Sequence, residues 1–193
     1  MEVIWDKNQG SREMRISRDR CSGLIIDMQE RLFPHMDQQE EVLRKCLMLV
    51  EGLKVLQLPL LVTEQYPRGL GSSLQPVSQA VGSFPVIEKT AFSCCDEPEF
   101  LNSLEKSKLS TLIIGGIEAH VCVMQTVIDL LEAGYSVVLV EDCVSSRNPD
   151  DKRVAIHRMR SEGAVIATCE SILFELARTS GTEEFKAISR LVK

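Results

Sequence analysis

Residues 111–131 read TLIIGGIEAHVCVMQTVIDLL, and this stretch decides the fold. A short apolar run (Leu112, Ile113, Ile114) ends in Gly115-Gly116, and an apolar pattern of helical period begins a few residues later. That order predicts a buried strand, a glycine turn and a helix, with Cys122 near the helix start. A thiol there lies in the positive field of a helix N-terminus, beside backbone N–H groups. Both effects favour the thiolate over the thiol, so the position predicts a nucleophile. The same N–H groups could hold the oxyanion formed when sulfur attacks a carbonyl. The competing reading is inert packing, because cysteine is among the most buried residue types.

Working outward, short apolar runs alternate with helical patterns along the whole chain. Strands are predicted over 22–26, 60–63, 85–88, 111–115, 136–141 and 164–168. They are rich in Ile, Val and Leu without polar alternation, as expected of a parallel sheet covered on both faces. Helices are predicted over 39–56, 97–107, 119–133, 149–161, 170–177 and 183–191. Asn148-Pro149-Asp150-Asp151 supplies an N-cap, a proline at the first helical position and acids in the first turn. Gly134 and Gly163 each close a helix just before a strand. Repeated β-α-β units imply a single α/β domain with a mostly parallel sheet.

The 193 residues suit one domain with a substantial core. Hydrophobic content of 44% and charged content of 26% place the chain among globular proteins rather than disordered ones. A net charge of −6, with no cluster of Lys or Arg, speaks against nucleic acid or an anionic membrane as partner. Seven cysteines without regular spacing read as reduced thiols and predict a cytoplasmic protein. No apolar run is long enough to span a membrane. Residues 1–18 read as an N-terminal extension and a candidate for flexibility, with the domain over 19–193.

In open parallel sheets the chemistry sits beyond the carboxyl ends of the strands. Asp27 follows the first strand in LIIDMQ, Lys89 follows the third in VIEKTAF, and Cys122 follows the fourth across the glycine turn. A carboxylate beside a thiol can take its proton and later deliver it to a leaving group. An ammonium nearby stabilises thiolate and carboxylate together. The bland alternatives are a turn aspartate and a solvated lysine.

LIIDMQ, EKTAFS and GGIEAHVCV, in that order, resemble the isochorismatase-like cysteine hydrolase family. The resemblance runs from about residue 22 to the C-terminus. VTEQYPRGLG and FKAISRLVK look most like the subgroup of isochorismatase domain-containing proteins. It implies a three-layer αβα, Rossmann-like domain with a six-stranded parallel sheet and Asp27, Lys89 and Cys122 as a catalytic triad. It also implies a non-proline cis peptide at Ile117–Glu118, aiming the Glu118 N–H at the oxyanion beside that of Cys122. Gln29 would be a pocket-edge residue supporting Asp27, and a homo-oligomer is expected.

The chain departs from the nicotinamidase branch, which binds a metal through an Asp and two His after the second strand. Here that region reads Thr63-Glu64-Gln65-Tyr66-Pro67-Arg68, so no metal and no other cofactor is expected. Gln65, Tyr66 and Phe92 are candidate pocket residues. His120 reads as a base, a pocket donor or a rim histidine, and Glu118 as a contact to substrate or to another chain. Cys94 and Cys95 read as reduced bystanders. The leading function is a metal-independent, amidase-like hydrolase of a small carbonyl or amide compound, working through a thioester. The alternatives are a non-catalytic binding or scaffold protein and a nuclease, which the acidic balance disfavours.

Overall fold

The apolar runs are buried because helices cover both faces of one sheet. In the computed structural model, which describes residues 15–107 and 109–193, six strands lie parallel in the order β3-β2-β1-β4-β5-β6. They are β1 (Cys21–Ile26), β2 (Leu60–Gln65), β3 (Val86–Lys89), β4 (Thr111–Ile117), β5 (Ser136–Ser145) and β6 (Val165–Ala167). The strand order reverses between β1 and β4, which is where such sheets leave a crevice at their carboxyl ends.

Side chains alternate across the strands and feed two apolar layers. Leu24, Ile26, Leu112, Ile114 and Leu139 pack against α4 (Pro98–Ser107), α5 (Met124–Glu132) and α6 (Pro149–Ser161), through residues such as Phe100, Val127 and Met159. Ile25, Ile113, Val138 and Val140 face α1 (Gln39–Val55) and α7 (Cys169–Ala177), through Leu49, Leu53 and Leu173. The three-layer α/β architecture expected from the sequence is borne out.

Several local features differ from the sequence reading. Helices α2 (Pro67–Leu70) and α3 (Gln75–Val81) occupy a stretch to which the sequence reading assigns no element; each is short and has a proline within its first two positions. Strand β5 runs on to Ser145, past Glu141 and Asp142, where the acids suggest an end. Asp142 is tolerated there because its carboxylate accepts the Cys169 N–H at 2.7 Å and pairs with Lys45 at 3.2 Å. The helix expected over 119–133 opens with a wide π-type turn at Ala119–Val123 before α5 begins.

The last helix, α8 (Glu183–Leu191), is docked on the chain itself: Ile188 is fully buried and the rings of Phe185 and Phe174 lie 5.8 Å apart. Arg18 pairs with Glu184 through two bonds of 2.8 and 3.0 Å, and the Ile16 N–H donates to Glu175 at 2.8 Å. The rest of the expected extension, residues 1–14, lies outside the described residues. Among the described residues no helix is long and apolar enough to cross a membrane.

One glycine sets the spacing at the crevice. Gly116 has φ +128°, and a Cβ there would run into the backbone N, C and O atoms of Ile26 on β1. Backbone cannot move aside as a flexible side chain can. Gly116→Ala is therefore expected to cost more than about 3 kcal/mol through strain and clash together. In a thermal melt this corresponds to a fall in Tm of roughly 6–12 °C. A variant within about 1 °C of the native protein would contradict this.

Candidate active site

Asp27 is the first residue past β1, fully buried and in the left-handed region at φ +52°. Asp tolerates this conformation better than most residues, and such positions concentrate at functional sites. The turn aims the carboxylate sideways beneath the end of β2. There Thr63 Oγ1 donates to Asp27 Oδ1 at 2.7 Å and Lys89 Nζ donates to Oδ2 at 2.7 Å.

Lys89 ends β3, with β2 standing between it and β1. Its long side chain crosses under β2, passing Gln65, its register partner. The ammonium also meets Gln65 Oε1 at 2.7 Å and the carbonyls of Phe92 and Ala91 at 3.2 and 3.3 Å. Burial alone would lower its pKa. The Asp27 carboxylate, with smaller contributions from the Cys122 and Cys94 thiols, outweighs burial and carries it above the ordinary 10.5.

Cys122 sits in the π-type turn with 4% of its surface exposed. Its Sγ lies 4.0 Å from Gln65 Oε1. Thr126, one turn on, donates to the Cys122 carbonyl at 2.7 Å and accepts the Cys94 N–H at 2.9 Å, which pins the turn to the loop after β3. The structure thus brings Asp27, Lys89 and Cys122 together.

The thiol does not behave as its position near a helix start suggests. Burial first, then the Asp27 carboxylate and a hydrogen bond to it, push Cys122 far above the usual thiol range, against the opposing pull of Lys89. The resting thiolate read from the sequence is corrected to a neutral thiol facing a carboxylate. The helix field is worth roughly 0.3–1 kcal/mol, whereas burying a charge shifts a pKa by up to about 3–5 units, several times more.

The remaining expected site residues divide. The peptide bond Ile117–Glu118 is cis. Gln29 is fully buried and serves as a strut rather than a pocket edge: its Nε2 donates to the carbonyls of Gln65 at 2.9 Å and Gly71 at 2.7 Å, and its Oε1 accepts the Gln65 N–H at 2.8 Å. Gln65 is held from both ends, its Nε2 donating to the Thr90 carbonyl at 2.7 Å. Tyr66 and Phe92 are more than half exposed. His120 Nδ1 is 2.9 Å from Ser146 Oγ, a rim position. Glu118 is buried against Arg147, whose Nε and backbone N–H meet its Oε2 at 3.0 and 3.3 Å. A cleft of about 340 Å³ opens at the carboxyl ends of β2 and β3, lined by Tyr66, Arg68, Glu88, Lys89 and Glu97 among others.

Thr63, Thr126 and Arg147 are given no site role by the sequence reading. Thr126 carried a signal, four residues after Cys122, where a threonine hydroxyl reaches back to a helical carbonyl. Thr63 and Arg147 had none, since their partners are 36 and 29 residues away in the chain. Among the described residues no group of three or more His, Cys, Asp or Glu side chains could hold a metal ion.

Comparison with known proteins gives a consistent picture. The isochorismatase domain family model matches residues 23–171. Isochorismatase family protein 1B of Dictyostelium discoideum is 37% identical over 174 residues, covering 88% of this chain and 84% of that protein. Isochorismatase domain-containing protein 2A of Mus musculus is 36% identical over 170 residues, covering 88% and 81%. The structure of the MAR1 ribonuclease from Caenorhabditis elegans superposes with a TM-score of 0.87 at 35% identity, covering 92% of each chain.

Two outcomes follow from the electrostatics of the site. Lys89→Met leaves the Asp27 carboxylate buried without its cation and is expected to cost about 3–5 kcal/mol in denaturant unfolding, much of it recovered by adding Asp27→Asn. Unchanged stability in the single variant would contradict the pairing. Second, Lys89 and, across the rest of the fold, the thiols of Cys21, Cys94 and Cys95 hold their protons more tightly folded than unfolded. Their contribution is therefore complete below the unfolded thiol value of 9.0 and is lost as pH rises toward about 11 for Cys21 and Cys94 and about 12 for Cys95. Lys89 adds to the loss above 10.5. A Tm series is expected to be level between about pH 7 and 8.5 and to fall beyond about pH 9; a level or rising curve at higher pH would overturn the assignment.

Proposed function

The chain belongs to the isochorismatase family, and from that premise we propose that it is a cysteine hydrolase acting on a small amide or related carbonyl compound through a thioester. The observation that carries this reading is a buried thiol facing a carboxylate whose two oxygens are each held by a donor, Thr63 and Lys89.

Cys122 attacks the carbonyl carbon as its proton passes to Asp27, so no free thiolate has to persist in the buried site. The negative charge moves from Asp27 to the substrate oxygen, where the backbone N–H groups of Glu118 and Cys122 receive it. Asp27, now a carboxylic acid, protonates the leaving nitrogen as the C–N bond breaks. Water then attacks the thioester while Asp27 takes its proton; collapse of the second intermediate breaks the C–S bond, and the proton returns to sulfur. Lys89 keeps Asp27 oriented throughout and offsets the charge it carries between steps. Gln65, Tyr66, Phe92 and His120 surround the approach, with Gln29 bracing Gln65. The sequence of steps runs on protein groups alone.

The same reading takes the domain as residues 19–193, in a homo-oligomer of the cytoplasm. Seven unpaired cysteines support a reducing compartment.

A second reading is set by the relative described as a ribonuclease. The net charge of −6 weighs against it, since binding RNA requires neutralising phosphates.

Cys122→Ala and Asp27→Asn are each expected to lower hydrolysis of a panel of small amides by roughly 10³-fold or more. Quenching with hydroxylamine during turnover is expected to yield a hydroxamate from the native protein and none from Cys122→Ala. RNA cleavage that survives purification and disappears in Cys122→Ala would replace the amide reading with the nuclease one. A panel left untouched by the native protein, with no adduct at Cys122, would favour a binding role.

A further inference from the structure

Resting on the hydrolase reading above, we infer that the substrate is a small uncharged carbonyl compound and that the site turns anionic compounds away. The observation behind this is how charge is paired around Cys122. The Asp27 carboxylate meets Lys89 at 2.7 Å. The Glu118 carboxylate meets Arg147 at 3.0 Å. The His120 ring lies between the Ser146 hydroxyl at 2.9 Å and the Asp151 carboxylate at 4.0 Å.

Lys89 is the cation nearest the thiol, yet it has nothing left to offer a ligand. Its three N–H bonds face four protein oxygens, those of Asp27, Gln65, Phe92 and Ala91. A carboxylate or phosphate brought to Cys122 would find no free ammonium, and it would stand close to the Asp27 carboxylate. It would also have to shed its water, because Cys122 is 4% exposed, and an unpaired charge in such surroundings is strongly disfavoured.

The cleft that Lys89 lines carries a charge bias in the same sense. Glu88 and Glu97 line it against one guanidinium, Arg68, while the charge of Lys89 is already matched by Asp27. Its volume of about 340 Å³ lies at the small end of ligand sites, which commonly span about 300–1,000 Å³. An uncharged amide escapes both penalties: its carbonyl oxygen needs only backbone N–H donors, and it carries no charge to desolvate. The same reasoning excludes a polyanion such as RNA as the preferred substrate.

Two alkylating reagents of nearly equal size separate the possibilities, iodoacetamide being neutral and iodoacetate anionic. The rate of adduct formation at Cys122 would be followed by peptide mass spectrometry at about pH 8, in the native protein. Each rate would be divided by that of the same reagent on a short unstructured peptide with one cysteine. After this correction Cys122 is expected to prefer the neutral reagent by about tenfold or more, a like-charge effect that salt screens poorly at a buried site. An equal rate, or faster labelling by iodoacetate, would overturn the inference while leaving the nucleophile in place. Labelling by neither reagent in the folded protein, with both reacting after denaturation, would overturn the hydrolase reading and this inference with it.

Discussion

The buried ion pair between Lys89 and Asp27 is the constraint on which the site depends. Both side chains are fully enclosed, and their separation is 2.7 Å. Removing two such charges from water costs several kcal/mol for each, and their attraction repays this only when geometry is good and every remaining donor and acceptor is used. The structure meets that condition: Thr63 completes Asp27, while Gln65 and two loop carbonyls complete Lys89. Because the pair spans β1 to β3 across β2, it requires the three strands to hold one register.

The same pair sets the state of the thiol. A carboxylate held beside Cys122 in a dry site makes a second negative charge unfavourable, so the proton stays on sulfur until an electrophile arrives. In the proposed mechanism nucleophile and base are then one unit, and reactivity appears only when substrate replaces water. Cys94 shares the neighbourhood of the pair, within 4.0 Å of Thr63, but it is fully enclosed, whereas Cys122 keeps 4% of its surface exposed. The near-neutral balance of paired charges is the other face of the design.

Much of the fold was legible from local pattern. The runs LIIGG and LIID and the NPDD cap are each readable within a few residues, because apolar period, glycine and proline act over that range. The errors lie where tertiary contacts override local preference. Strand β5 continues through Glu141-Asp142 because Lys45 and the Cys169 N–H, far away in sequence, satisfy the acid. Helices α2 and α3 are short enough that packing, not propensity, decides them.

By itself the sequence determined that this is a parallel α/β domain with an aspartate, a lysine and a cysteine at the ends of separate strands. Each of those statements depends on residues adjacent in the chain. Tertiary structure alone decided that Lys89 reaches Asp27 beneath an intervening strand, that Gln29 is a strut, and that Thr63 and Arg147 belong to the site. It also decided that Cys122 rests as a thiol. Desolvation and ion pairing are properties of what surrounds a group in space, and the neighbours that matter here are separated from their partners by 24 to 62 positions along the chain.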